Sequence, residues 1–206
     1  MLASVSAHTQ PNLILASSSP YRQEMLSRLN IPFSSKSPDV DESILPGETP
    51  LVLARRLALK KARAIAREAP EAIVIGADQV LDLHGVALGK PGSAEQARRQ
   101  LSMLSGQTVM FHSALALVTP SSARIRVSTC KATFRRLSAV QIEHYLQIDQ
   151  PFDTAGSAKA ESLGIALLSS LESNDPTAII GLPLIELTDL LALVGLDPLI
   201  PKTFDT

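Results

Sequence analysis

Apolar and polar stretches alternate along the chain in a pattern that predicts a strand followed by two helices in its first third. An apolar run at residues 13–16 leads through a hydroxyl-rich turn into apolar positions spaced four apart, which indicates a helix that ends before Pro32. A second helix is predicted from Thr49 and Pro50 to about Glu68, because its apolar side chains recur on one side. The chain therefore opens with a β-α unit.

The next third adds a buried strand, a turn and a capped helix. The continuous apolar run at residues 72–75 passes into Gly-Ala-Asp-Gln at 76–79, the pattern of a buried strand that presents polar groups at its end. A turn is predicted at His84 and Gly85. Ser93 to Gln96 then carries the capping signal of a helix that continues through Leu104.

Two long strand-like stretches follow, and their arrangement decides the fold class. Residues 109–118 and 124–134 have strand character and are joined by a Pro-Ser-Ser turn at residues 120–122. Another capping signal, Ser138 to Gln141, precedes a short helix that ends before Pro151. The order of elements predicts an α/β protein with a mixed twisted sheet and flanking helices.

Composition and charge narrow the classes of function. The chain has 206 residues, of which 45% are apolar and 19% charged, values typical of an ordered globular protein. Its net charge of −1 provides no positive field for a nucleic-acid polymer or an anionic membrane. Cys130 is the single cysteine, so no disulfide within the chain and no multi-cysteine zinc site can form. We expect a cytoplasmic protein that binds neither nucleic acid nor membrane.

The turn after the first strand is a candidate anion site. Ser17, Ser18 and Ser19 precede Pro20, and Ser19 and Pro20 suit the cap and first position of a helix. The free N–H groups of that helix start, three hydroxyls and the Arg22 guanidinium can converge on one point. A serine-rich turn is more often a simple helix cap, so the turn taken alone favours capping over an anion site.

Further polar clusters could complete a site for a triphosphate. Hydrolysis of a triphosphate requires a divalent cation, a carboxylate to hold that cation or activate water, and positive charges near the leaving group. Glu42 and Asp78 could supply the carboxylates, and Arg22, Lys60 and Lys90 the positive charges. Each of them also has an ordinary alternative as a cap, loop or surface residue. The chain contains neither of the usual glycine-rich phosphate loops, which excludes the common dinucleotide and P-loop folds.

Eight short motifs with polar or glycine residues lie along the chain: LASSSPYR at 15–22, VDE at 40–42, LKKA at 59–62, IGADQV at 75–80, GKP at 89–91, LSG at 104–106, AGSAKAE at 155–161 and GLPL at 181–184. They occur in the order in which they are found in Maf proteins, and the chain resembles that family over residues 12–194. The resemblance implies a Maf/ITPase-like fold and a pyrophosphatase that releases pyrophosphate from nucleoside triphosphates with Mg²⁺ or Mn²⁺. It also implies one two-lobed domain over residues 12–206 around a nucleotide cleft. We expect residues 1–11 to be a flexible extension, and a homodimer is left open.

The resemblance also assigns roles to individual residues. It implies that Asp78 accepts a proton from water and, with Glu42, holds the metal. The residues that it implies for phosphate binding are Ser17, Ser19, Arg22, Lys60 and Lys90. Substrate specificity is implied for Tyr21, Gln79 and Glu161, which differ from the residues usual in the branch that hydrolyses dTTP and UTP. The combination resembles instead the branch that acts on 7-methyl-GTP, which commonly has Trp at the position of Tyr21.

The chemistry of the base agrees with that branch. A carboxylate such as Glu161 can accept two adjacent N–H donors from guanine, whereas uracil presents one N–H between two carbonyl groups. Methylation at N7 makes the base cationic, which favours an aromatic partner at Tyr21. The alternatives are a pyrophosphatase for dTTP, UTP or a broad range of modified nucleotides, and a non-catalytic nucleotide-binding regulator of cell division. Because a pure binder has no need of both carboxylates, Asp78 and Glu42 together favour the enzyme.

Overall fold

In the part of the chain that the structure describes, seven strands form one sheet, and its mixed character confirms the predicted fold class. The computed structural model describes residues 12–200, and the extension expected at residues 1–11 lies outside the described residues. The strands are β1 (Leu13–Ala16), β2 (Ser34–Lys36), β3 (Ile73–Leu83), β4 (Val86–Leu88), β5 (Thr108–Val118), β6 (Ala123–Phe134) and β7 (Leu168–Glu172). Their order is β2-β1-β3-β5-β6-β7, with β4 paired to β3. β1 is parallel to β2 and β3, and the remaining pairs are antiparallel.

Five helices flank the sheet, and four of them begin where the sequence predicts a cap. They are α1 (Pro20–Ser27), α2 (Pro50–Glu68), α3 (Ala94–Leu104), α4 (Ala139–Asp149) and α5 (Leu184–Ala192). Ser19, Thr49, Ser93 and Ser138 each accept a hydrogen bond from the N–H of the residue three positions later. Across residues 12–200 no helix has the length and apolar character needed to cross a membrane.

The apolar side chains form three clusters around the sheet. α1 and α5 pack with Leu15 and Ile75 on one face, whereas α2 packs on the opposite face against Val74 and Ala116. α3 and α4 pack against the other end of the sheet, where Phe111 and Phe134 are buried. The helices thus bury both faces of the sheet.

β3 differs from the prediction, because it does not end at the polar residues 76–79. β5 pairs with it continuously from Val74 to Asp82, so the strand extends to Leu83 and Asp78 lies in its middle. On its other edge, β1 pairs with residues 73–76 and β4 with residues 81–83. Residues 77–80 therefore face a gap between β1 and β4 in the described sheet.

We expect the substitution Gly76→Ala to lower the free energy of unfolding by about 1–3 kcal/mol. A Cβ at Gly76 would overlap the carbonyl oxygen of Ala58 and lie 2.8 Å from the Cβ of Ala62, so β3 and α2 would have to separate. Urea unfolding measures the change. Gly89→Ala is the matched control, because a Cβ there meets no atom within 4 Å among the described residues. Equal stability of the two variants would contradict the expectation.

Candidate active site

The gap beside β3 opens into a cleft of about 640 Å³, a volume within the range of small-molecule sites. Its walls come from the turn after β1, the loop after β2, α2, the middle of β3 and the loop after β4. Residues 153–155, Glu161 and residues 179–180 close the far side. Of the residues predicted from sequence, the structure brings together Ser17, Ser19, Tyr21, Arg22, Glu42, Asp78, Gln79, Lys90 and Glu161.

The serine-rich turn at the entrance to α1 is ordered by its own hydroxyl groups. The Oγ of Ser17 accepts a hydrogen bond from the N–H of Ser19 at 3.1 Å, and the Oγ of Ser19 accepts from the N–H of Arg22 at 3.4 Å. The predicted helix cap is therefore confirmed. The turn directs the positive end of α1 toward the cleft, an arrangement that favours an anion.

Arg22 is held at the base of this turn. Its Nε donates to the carbonyl oxygen of Gly181 at 3.0 Å. Burial lowers the pKa of the Arg22 guanidinium, while the carboxylates of Asp78 and Glu42 act in the opposite direction. The guanidinium thus provides a partly buried positive charge at the cleft, and electrostatic interactions are stronger there than in bulk water.

The most strongly coupled charges of the cleft are those of Glu42, Lys61 and Asp78. The Nζ of Lys61 lies 2.6 Å from Oδ1 of Asp78 and 2.9 Å from Oε1 of Glu42. The side chains of Lys61 and Asp78 are only 9% and 8% exposed. Burial raises the pKa of the Asp78 carboxyl, and the positive charges of Lys61 and Arg22 oppose that rise. A buried carboxyl group with a raised pKa suits general base catalysis.

The structure does not bring Lys60 into the cleft. Its Nζ donates to the carbonyl oxygen of Asp41 at 2.6 Å, and it is Lys61 that lines the site. Neighbouring residues on a helix project about 100° apart, so only one of the two lysines can face β3. The sequence contains a signal for Lys61, since it follows Leu53 and Leu57 at four-residue spacing on the buried side of α2.

Glu42 and Asp78 fit a divalent cation that is shared with a substrate. No group of three or more His, Cys, Asp or Glu side chains that could hold a metal is present between residues 12 and 200. Mg²⁺ is commonly bound by one or two carboxylates together with phosphate oxygens and water. Two carboxylates that contact one ammonium group, beside an anion-binding turn, match that donor set.

The residues predicted for specificity present hydrogen-bond acceptors and an aromatic ring. The Nε2 of Gln79 donates to Oγ of Ser113 at 3.0 Å and to the carbonyl oxygens of Ala178 and Ile179, each at 2.9 Å. The group that Gln79 can offer to a ligand is therefore its Oε1, an acceptor. Burial raises the pKa of the Glu161 carboxyl, and the nearby acids Asp149 and Asp153 act in the same direction. Tyr21 lies beside the ammonium of Lys159, a residue that the sequence did not single out.

The fold and the cleft together define an α/β protein with a cleft suited to an anion, at the gap between β1 and β4 beside β3. The family model described as "Maf-like protein" matches residues 12–194, and the chain belongs to this family. That match covers every residue of the cleft named above.

Individual relatives are similar over almost the whole chain. A Polaromonas protein is 53% identical over 91% of this chain and 86% of its own length. Proteins of Bordetella pertussis and Bordetella avium are 57% and 54% identical, over 92% and 93% of this chain and 95% and 98% of their own. All three are named 7-methyl-GTP pyrophosphatase. The Ham1 protein of Staphylococcus aureus matches with a TM-score of 0.46 and 17% identity, over 61% of this chain and 72% of its own, a likeness that adds nothing to the assignment.

Proposed function

We propose that this protein hydrolyses 7-methyl-GTP to 7-methyl-GMP and pyrophosphate. The observation that carries the proposal is the identity of 53–57% to relatives of that name, over more than nine tenths of the chain. The cleft supports it, because the residues that the chemistry requires, with Lys61 in place of Lys60, line one site. The class of reaction is hydrolysis of a phosphoanhydride bond by water.

The catalytic step is an attack of water on the α-phosphorus. The water oxygen forms a bond to that phosphorus, the bond to the oxygen bridging the α- and β-phosphates breaks, and pyrophosphate leaves with the bonding pair. Asp78 accepts the proton of the attacking water, and Lys61 holds the Asp78 carboxylate in place. Glu42 and Asp78 would hold a divalent cation, which when bound would supply Lewis-acid polarisation of the phosphate oxygens.

The phosphates are bound by the opposite wall of the cleft. Ser17, Ser19 and the first N–H groups of α1 surround one side of the chain of phosphates, and Arg22 and Lys90 add positive charge. Charge accumulates on the leaving pyrophosphate as the bond breaks, so cations fixed there stabilise the transition state.

Base recognition depends on Tyr21, Gln79 and Glu161. The Glu161 carboxylate accepts the N1–H and N2–H donors of guanine, and Oε1 of Gln79 is a further acceptor. Tyr21 stacks on the methylated base, whose positive charge strengthens contact with an aromatic face. Uracil and thymine would place carbonyl oxygens against these acceptors, which disfavours pyrimidines.

Pyrophosphate release from a panel of nucleotides tests the proposal. With Mg²⁺ or Mn²⁺ present, we expect kcat/KM for 7-methyl-GTP to exceed that for GTP, dTTP and UTP by about tenfold or more, the discrimination of one good base contact. A higher kcat/KM for dTTP or UTP than for 7-methyl-GTP would overturn the proposed substrate assignment. Nucleotide binding without any pyrophosphate release would instead favour the non-catalytic regulator.

The substitution Glu161→Gln is expected to lower kcat/KM for 7-methyl-GTP by about tenfold to a hundredfold. The glutamine places an amide N–H group opposite the N–H donors of guanine, where the two donors repel. Because uracil presents carbonyl acceptors instead, the substitution should leave turnover of UTP unchanged or increase it. Because the pKa of Glu161 is raised above 4.5, KM for 7-methyl-GTP should increase as the pH falls toward that pKa, and the variant should lose this dependence. Glu172→Gln on β7 is the matched control. An unchanged substrate profile in Glu161→Gln would contradict the role in base recognition.

A further inference from the structure

Lys159 is a largely buried cation beside Tyr21, a residue of the cleft that we assign to the base. Its side chain is 13% exposed, and its Nζ lies 5.7 Å from the centroid of the Tyr21 ring. The same Nζ lies 3.4 Å from Oδ1 of Asp153 and donates to the carbonyl oxygen of Asp149 at 3.2 Å. One ammonium group therefore contacts an aromatic ring, a carboxylate and the last residue of α4.

The backbone of Lys159 is fixed from three sides. Its N–H donates to the hydroxyl of Tyr145 at 3.0 Å, and its carbonyl oxygen accepts from the N–H of Ser162 at 3.1 Å. Gly164 packs so closely that any Cβ there would overlap the backbone of Lys159. Asp149 completes the framework, because its Oδ2 accepts from Ser162 and Gly164 at 2.7 and 3.1 Å. The backbone of Lys159 is thus fixed by the fold, and the contacts of its ammonium with Asp149 and Asp153 direct the side chain.

The charge of Lys159 acts on the cleft through its two partners. Tyr21 and Asp153 line the cleft, whereas Lys159 does not. An ammonium group near an aromatic ring interacts with the same quadrupole that would attract a second cation, and two cations near one ring repel each other. Its ion pair with Asp153 also offsets a negative charge that would otherwise attract a cationic base.

We propose that Lys159 is a specificity-determining residue that limits how strongly the cleft prefers a cationic, N7-methylated base over neutral guanine. It does so as a positioning residue, because it acts through Tyr21 and Asp153 rather than by contact with the base. This inference rests on the proposed function, in which Tyr21 stacks on the base. It accounts for a buried lysine that the hydrolytic step does not use.

Binding of the two product nucleotides isolates this effect from catalysis. Calorimetry gives the dissociation constants of GMP and 7-methyl-GMP at about pH 6.5, where the methylated base keeps its N1 proton and its positive charge. Lys159→Met removes the charge and should raise the ratio of the GMP dissociation constant to the 7-methyl-GMP dissociation constant about threefold to tenfold. A higher ratio means a stronger preference for the methylated base. Lys159→Arg should keep the ratio within about twofold of the wild-type value, because it retains the cation.

The matched control is Lys131→Met, which removes a lysine whose ion pair with Glu172 lies on β6 and β7, away from the cleft. If the role of Lys159 were purely structural, its loss would weaken the binding of both nucleotides by the same factor, since they share one pairing edge. The ratio of dissociation constants would then be unchanged. An unchanged or lower ratio in Lys159→Met overturns the inference. The inference is also overturned if Lys159→Met raises the ratio by the same factor in a Tyr21→Leu background. The effect of Lys159 would then not depend on the Tyr21 ring.

The same proteins separate failure of this inference from failure of the proposed function. Pyrophosphate release by the wild-type protein tests the function and needs no variant. The ratio of product affinities tests Lys159 and needs no turnover. Wild-type protein that releases pyrophosphate but binds neither product would overturn the inference about Lys159 and leave the proposed function standing.

Discussion

The substitution Asp78→Asn is expected to lower kcat for pyrophosphate release by about a hundredfold to ten-thousandfold, the usual contribution of a general base. An amide in place of the carboxylate cannot accept a proton from water and binds a divalent cation less well. The fold should persist, because the ammonium of Lys61 keeps its contact with Glu42 at 2.9 Å. Steady-state kinetics at saturating nucleotide measures the loss, and thermal unfolding checks the fold.

Asp82→Asn is the matched control for this experiment. Asp82 lies on the same strand, and its Oδ2 faces Nε2 of His112 at 3.3 Å, outside the residues that line the cleft. We expect its kcat to stay within about threefold of the wild-type value, as for a substitution away from the reacting groups. If kcat of Asp78→Asn also stays within about threefold of the wild-type value, Asp78 is not the general base.

The second large effect is expected from Lys61→Met, compared with Lys60→Met. Removal of the Lys61 ammonium leaves the buried Asp78 carboxylate without its nearest cation, so we expect kcat to fall by about a hundredfold or more, of the order seen when a fixed electrostatic contact is lost. Stability should also fall, by about 3–5 kcal/mol if Asp78 stays ionised and by less if it takes up a proton.

Lys60→Met should have a much smaller effect on turnover. Its ammonium contacts only the carbonyl oxygen of Asp41 among the hydrogen bonds found in residues 12–200, and methionine keeps the apolar part of the side chain. Steady-state kinetics and urea unfolding of both variants show which of the two lysines supports turnover. A larger loss in Lys60→Met would contradict the placement of Lys61 in the site and support the role that the family resemblance implied for Lys60.

Local signals in the sequence were sufficient for most of the fold. α2 begins at its predicted cap and ends at Glu68 as expected, because its start and its apolar spacing are both encoded within the helix itself. The full length of β3 was not predictable in this way. Residues 77–83 are a strand because β5 pairs with them, and that partner is distant in the sequence.

The same distinction applies to the site. The sequence was sufficient to find Arg22, Asp78 and Gln79, because each lies at or just after the end of an apolar run. Polar side chains at such positions are typical of sites at a sheet. The four-residue spacing of Leu53, Leu57 and Lys61 places Lys61 on the buried side of α2. That this side brings the Lys61 ammonium to Asp78 depends on how α2 packs on β3, which the spacing within the helix does not encode. Lys159 could not be found, since no periodic pattern surrounds it and its partners Tyr21 and Asp149 come from other elements.

The close contact between α2 and β3 at Gly76 makes the stability of the fold and the geometry of the cleft depend on one residue. Gly76 and Asp78 project from the same face of β3, and α2 can place Lys61 against Asp78 because no side chain at Gly76 holds the helix away. The distance between the Asp78 carboxylate and the Lys61 ammonium is therefore set by the spacing of two packed elements. A side chain added at position 76 would change that distance together with the free energy of unfolding.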